Sequence, residues 1–257
     1  MGGDAEAKVN GARTGGRRFS FGMDDLNGRL IQNFFAELLG TMFLIIFCVG
    51  SANSTALTAL GENSPAYYLS ISLAFGLGIG GIVHILSSTS GGHVNPAVSL
   101  ALFLDRRVSL LVALAYIVAQ FAGGFAGAGI LYGLGGFESG DQTAGQNMIL
   151  IDRLGAEHAF FLEVFGTAFL ILTILATIDE KRGHAPSYLQ PLAIGIAILV
   201  MHIFLIPFTN CAINPVRGTV WNVVTDKADS ETLIFLFAPF VGSLVAVPLN
   251  LLIFTPH

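Results

Sequence analysis

Charged side chains are scarce: Asp, Glu, Lys and Arg make up 11% of the 257 residues, where a soluble domain carries about 25%. None occurs in residues 38–61, 63–104, 108–137, 164–178, 183–216 or 232–257. That scarcity excludes a globule wetted on all sides. Cysteine is nearly absent too. Only Cys48 and Cys211 occur, both in apolar runs; neither is expected in a disulfide, and no zinc-ligand spacing is present. No apolar core precedes Leu30, so a cleaved signal peptide is not expected. No enzyme, cofactor, metal or nucleic-acid partner is suggested, and the net charge of −5 has no evident bearing on partners.

What is there is apolar length. Hydrophobic residues make up 53% of the chain and mean hydropathy is +0.72. A membrane-spanning helix needs roughly 20 such residues. Four of the charge-free runs hold one helix each, the 164–178 run by extending back toward Phe160. Runs 63–104 and 183–216 are too long for one helix, and each contains an Asn-Pro pair: GGHVNPAVS over 91–99 and CAINPVRG over 211–218. Asn as N-cap with Pro at the first helical position marks a helix start. The spacing predicts an all-α membrane protein with spans at 31–52, 67–86, 108–133, 157–178, 188–206 and 232–254. Half-helices over 95–104 and 214–224 each cover about 15 Å of a ~30 Å hydrocarbon core. Residues 1–28 are expected to be a disordered tail, and 29–257 one channel domain.

The two halves repeat, over about 30–133 and 157–255. Residues 34–45, FFAELLGTMFLI, align with 160–171, FFLEVFGTAFLI, at an offset of 126, and the Asn-Pro pairs repeat at an offset of 119. Three spans per repeat inverts the second half, so the half-helices enter from opposite faces and their N-termini meet at the midplane. The positive-inside rule puts both termini in the cytoplasm: of twelve Lys and Arg, only Arg153 and Lys227 fall in outer loops, and Arg217 lies in the second break. Converging N-termini place positive dipole ends at one point. The amides of Asn95 and Asn214 add donors there, an arrangement that orients water and repels hydronium and other cations. In a capping role alone, each Asn would bond only its own helix.

The paired Asn-Pro boxes, the repeated ExxGT and AYIVAQ at 115–120 resemble the aquaporins of the major intrinsic protein family, over residues 30–255. The resemblance implies six tilted helices plus two half-helices, a homotetramer with one pore per subunit, water as permeant, and a plasma-membrane location among lipid. It implies a passive water channel; the alternatives are an aquaglyceroporin-like solute channel and a coupled transporter. The boxes are Asn95-Pro96-Ala97 and Asn214-Pro215-Val216, and the second departs from NPA at Val216.

Arg217 lies three residues after Asn214, and its counterpart in the first half is Val98. The resemblance implies a selectivity filter of Phe75, His202, Cys211 and Arg217, the water-specific set. A core histidine bonded to a backbone carbonyl is the other reading of His202. Glu37 and Glu163 are intramembrane acids. A coupled transporter would protonate them; the resemblance instead implies structural acceptors for the re-entrant loops. His93 is expected to brace the turn before Asn95. The loop from Asp179 to Ser187 carries His184, and some resemblance to plant plasma-membrane aquaporins implies a gate there involving His184 and Ser187. An exposed histidine with no role is the alternative. Ser20, in RRFS, suits a basophilic kinase or lies in a juxtamembrane basic patch. Asn53 heads an N-S-T glycosylation sequon expected in the first outer loop.

Overall fold

A computed structural model describes residues 19–22, 25–57, 64–134, 144–151, 154–179 and 187–255. The first span starts at α1 (Gly28–Phe43), where the Asn27 side chain accepts from Arg29 N at 2.9 Å. A π-helical turn over Leu44–Val49 leads into α2 (Gly50–Leu57). Then follow α3 (Pro65–Leu86), the short α4 (Pro96–Leu104), α5 (Leu110–Gly133), α6 (Ala156–Thr177), α7 (Gln190–Thr209), the short α8 (Pro215–Val224) and α9 (Thr232–Leu249). Six helical stretches are long and apolar enough to cross a membrane. α4 and α8, of 9 and 10 residues, are too short for that. No strand occurs among the described residues.

The burial pattern is inverted relative to a soluble protein. Phe35, Phe47, Leu77, Phe161 and Phe165 point outward and exposed, while Glu37, Gln120, Glu163, His202 and Arg217 are buried. A bilayer stabilises that distribution: hydrocarbon solvates the outer side chains, and polar groups find partners only inside. Glycines let the helices close on one another. A methyl on Gly76 of α3 would lie 2.8 Å from Gly195 O of α7, and one on Gly195 would lie 2.5 Å from Gly76 O. Gly123 of α5 packs on the Leu38 backbone of α1; Gly242 of α9 packs on that of Val164 in α6, where a methyl would meet the carbonyl at 2.8 Å. These are the same contacts in the two halves, at offsets 119 and 126.

Two expectations are corrected here. The end of the tail is not disordered: Leu110 N donates to Ser20 O at 2.9 Å, Leu111 N donates to Phe21 O at 3.2 Å, and Phe19 packs on Phe103 with centroids 5.5 Å apart. Free N–H groups at the start of α5 and an aromatic partner draw that segment in. Ser20 itself is exposed. Asn53 is not in a loop: it lies in α2, 6% exposed, with its amide donating to Val49 O at 3.0 Å. Helix hydrogen bonding carries the first span past the expected boundary at 52, and the acceptor amide of the sequon is packed inside. α7 likewise runs through Pro207 to Thr209.

The α3–α7 crossing leaves no room for a side chain. Gly195→Leu should destabilise the detergent-solubilised protein by about 3 kcal/mol. Gly129→Ala, on α5 where an added methyl meets nothing within 4 Å, should leave it unchanged. Thermal melts of both variants check the pair.

Candidate functional site

Each re-entrant loop hangs from a buried carboxylate. Glu37 Oε1 accepts from His93 N at 2.9 Å and Ser90 Oγ at 2.6 Å; its Oε2 accepts from Val94 N and Gln120 Nε2, both at 2.7 Å. Glu163 Oε1 accepts from Ala212 N at 2.9 Å and Thr209 Oγ1 at 2.6 Å, and its Oε2 accepts from Ile213 N at 2.8 Å. Backbone N–H groups outside a helix need such partners at membrane depth. Bonding at this density holds Val94 and Ile213 at φ 42 and 45, a conformation β-branched residues rarely adopt. His93 joins the same scaffold. Its Nδ1 lies 3.0 Å from Ser99 Oγ, and its ring meets Tyr116 edge-on at 4.8 Å.

The left-handed turns aim the carbonyls of Val94 and Ile213 at the opposite box. Asn95 caps α4 through Oδ1, which accepts from Ala97 N at 2.9 Å, and its Nδ2 donates to Ile213 O at 2.9 Å. Asn214 caps α8 through Oδ1, accepting from Val216 N at 3.0 Å, and its Nδ2 donates to Val94 O at 2.9 Å. An amide nitrogen carries two hydrogens, so one N–H of each Asn is left for the cavity that both line. Capping and cavity donation therefore coexist in the same side chain. Pro96 and Pro215 occupy the first helical positions behind these caps.

That cavity, of about 350 Å³, runs from Arg107, Val108, Ile178 and Gln190 at the helix ends of one face inward past both Asn side chains to Phe75, His202 and Arg217. The Phe75 and His202 rings stack with centroids 4.2 Å apart, and the Arg217 guanidinium carbon lies 5.0 Å from the Phe75 centroid. His202 Nδ1 lies 2.9 Å from Ile198 O, while Nε2 has no partner among the described residues. The backbone bond fixes the ring, as the core-histidine reading expects. Cys211 is fully buried at φ 52 in the same loop and is not part of the cavity wall.

Several site residues carried no signal in the linear pattern. Arg217 is held by two carbonyls: Nη1 donates to Gly145 O at 2.6 Å and Nη2 to Asn210 O at 3.2 Å. The segment with Gly145 is clasped to α8 in turn. Trp221 Nε1 donates to Ala144 O at 3.1 Å, and Asn222 Nδ2 to Asn147 O at 2.7 Å. Ser90 and Thr209, by contrast, repeat at the offset of 119. That repeat was the available clue to their shared role. His184 lies outside the described residues, and Ser187 opens a 3₁₀ turn over Ser187–Leu189.

Comparison with known proteins agrees with this architecture. The major intrinsic protein family matches residues 27–249. The chain is 35% identical to aquaporin-5 of Ovis aries over 87% of this chain and 81% of that protein. It is 38% identical to aquaporin-2 of Rattus norvegicus over 82% and 74%. Among solved structures, the aquaglyceroporin from Plasmodium falciparum aligns with TM-score 0.80 and 26% identity, covering 88% of this chain and 98% of that one. Inverted halves, two Asn-capped half-helices meeting over a cavity, and a match across nearly the whole chain lead to one conclusion: this chain belongs to the major intrinsic protein family.

Proposed function

We propose that this protein is a passive water channel that excludes protons and ions and follows the osmotic gradient. The observation that carries the reading is the stack of Phe75 on His202 with Arg217 beside it. Two rings and a guanidinium at one level leave donors for water and little width for a polyol, and the fixed positive charge opposes hydronium. Cys211, buried in the same loop next to Ala212 of the cavity wall, backs the filter without facing the cavity. The free N–H groups of Asn95 and Asn214 turn each passing water's oxygen toward the midplane, which interrupts a proton wire. The functional unit is a homotetramer in the plasma membrane with both termini cytoplasmic.

A second reading is a glycerol-conducting channel, favoured by the likeness to the Plasmodium falciparum aquaglyceroporin. Proton coupling through Glu37 and Glu163 is the weaker rival, because every bond named above enlists these carboxylates in holding the loops.

In proteoliposomes, stopped-flow scattering should show water permeability well above protein-free vesicles and no added glycerol permeability. Glycerol flux comparable to water flux would overturn the reading. Replacing Phe75 and His202 together by alanine should raise glycerol permeability by about tenfold or more.

Mercuric ion should block water flow, and Cys211→Ser should remove the block. Persistent inhibition in that variant would exclude Cys211 as the mercury site.

His184 gates the inner mouth in the proposed scheme. Arg107, in the cavity wall, donates to Ile178 O at 3.0 Å, so the loop carrying His184 starts at that mouth. An imidazole gains a proton, and with it a positive charge, as internal pH falls from 7.5 to 5.5, values about one unit either side of the reference range for histidine. The added positive charge can pair with Asp179 or Glu180 and draw the loop over the opening. Water permeability should therefore fall as internal pH falls, and His184→Ala should abolish the response. Equal rates at both pH values would leave the loop a connector.

A further inference from the structure

The second box has valine where the first has alanine, and the structure shows where the extra volume goes. At the repeat offset of 119, Ala97 corresponds to Val216, and Gly124 of α5 corresponds to Ser243 of α9. Each of these helices backs one box. Ser243 Oγ donates to Ala97 O at 2.8 Å. On the other side, a methyl on Gly124 would overlap Val216 Cγ1 and touch Val220 Cγ1 at 3.4 Å. The pairs are complementary in size: the small box residue faces a side chain, and the large one faces none.

Despite that difference the two caps match closely. Asn95 sits at φ −157, ψ 120 and Asn214 at φ −152, ψ 118. Their cap bonds are 2.9 and 3.0 Å, and their cross-box bonds are both 2.9 Å. Val216 is fully buried. The methyls of Val216 have been absorbed by the missing side chain on α5, and α8 has not moved away from α4.

We infer that Gly124 is a positioning residue for the pore: paired with Val216, it sets how deeply α8 seats against α5, and thereby where Asn214 and Arg217 stand in the permeation path. Val216 N is the donor to Asn214 Oδ1, and Arg217 is the next residue. A shift of α8 therefore displaces the midplane amide and the filter cation together.

The test is a double-mutant cycle on the full chain in proteoliposomes: wild type, Gly124→Ala, Val216→Ala and the double variant. Gly124→Ala should lower water permeability per channel by about tenfold, and raise the activation energy of water flow. Once the flow through protein-free vesicles is subtracted, loss of folded protein alone does not change that activation energy. Val216→Ala leaves a void and should lower the melting midpoint by a few degrees. In the double variant, the alanine methyl on α5 occupies the space the valine has vacated. Permeability should return to within about twofold of wild type, the non-additivity expected of residues in contact. Gly129→Ala serves as the unaffected control. Wild-type behaviour in Gly124→Ala, or additive losses in the double variant, would overturn the inference. Where Gly124→Ala fails to accumulate, the double variant decides: folding and conduction support the pairing, and failure overturns it. The permeability readout rests on the water-channel reading. A wild type that conducts no water refutes that reading, while the melting cycle still decides the pairing.

Discussion

Everything at the centre of this molecule depends on two carboxylates accepting backbone hydrogen bonds inside a membrane. A chain that leaves its helix at that depth exposes N–H groups that hydrocarbon cannot satisfy, at several kcal/mol each. Glu37 and Glu163 take up those groups at Val94 and Ile213 and at the residues just before them. The bonds hold both loops in a left-handed turn that β-branched residues otherwise avoid. Only in that turn do the two carbonyls face the opposite asparagine. The acids, the strained turns, the crossed amide bonds and the aim of the half-helices form one causal sequence.

Twofold repetition explains how one such device becomes a pore with unlike ends. The scaffold residues obey the repeat: Glu37 with Glu163, Ser90 with Thr209, Gly123 with Gly242, Asn95 with Asn214. The residues around Arg217 break it. At the offset of 119, Phe75, His202, Cys211 and Arg217 correspond to Ile194, Val83, Gly92 and Val98, and all four counterparts lie in the wall of the cavity. One side of the midplane thus carries two stacked rings and a cation, and the other a mainly apolar wall. Symmetry supplies the frame, and the two ends of the cavity differ where symmetry is given up.

The end that holds Arg217 is also braced from outside the half-helix. A guanidinium desolvated beside an aromatic ring requires acceptors to remain charged, and two backbone carbonyls supply them. One belongs to the segment around Gly145, held down by Trp221 and Asn222 of α8. That segment thereby holds Arg217 in place without contributing a side chain.

Much of this was legible in the linear chain because its causes are local. Charge-free runs of one helix length define the spans, and Asn followed by Pro starts a helix in any context. The half-helices accordingly begin at the boxes where the pattern put them. Internal repetition exposed the inverted halves and matched the two acids. Other features depend on contacts between distant parts of the chain, and no local pattern encodes them. Phe19 to Phe21 look like polar tail until α5 offers free N–H groups and Phe103 a ring. Asn53 looks like loop until helical bonding carries the first span past it. Gly145 is one glycine among 31 in the sequence, and only the fold sets its carbonyl 2.6 Å from Arg217, 72 positions along the chain. The sequence by itself determined the spans, the breaks and the residue types at the midplane, because hydropathy and helix capping act over a few residues. The tertiary structure alone decided which carbonyl, methyl or ring each of them meets, because those distances are set by helices packed across the whole length of the chain.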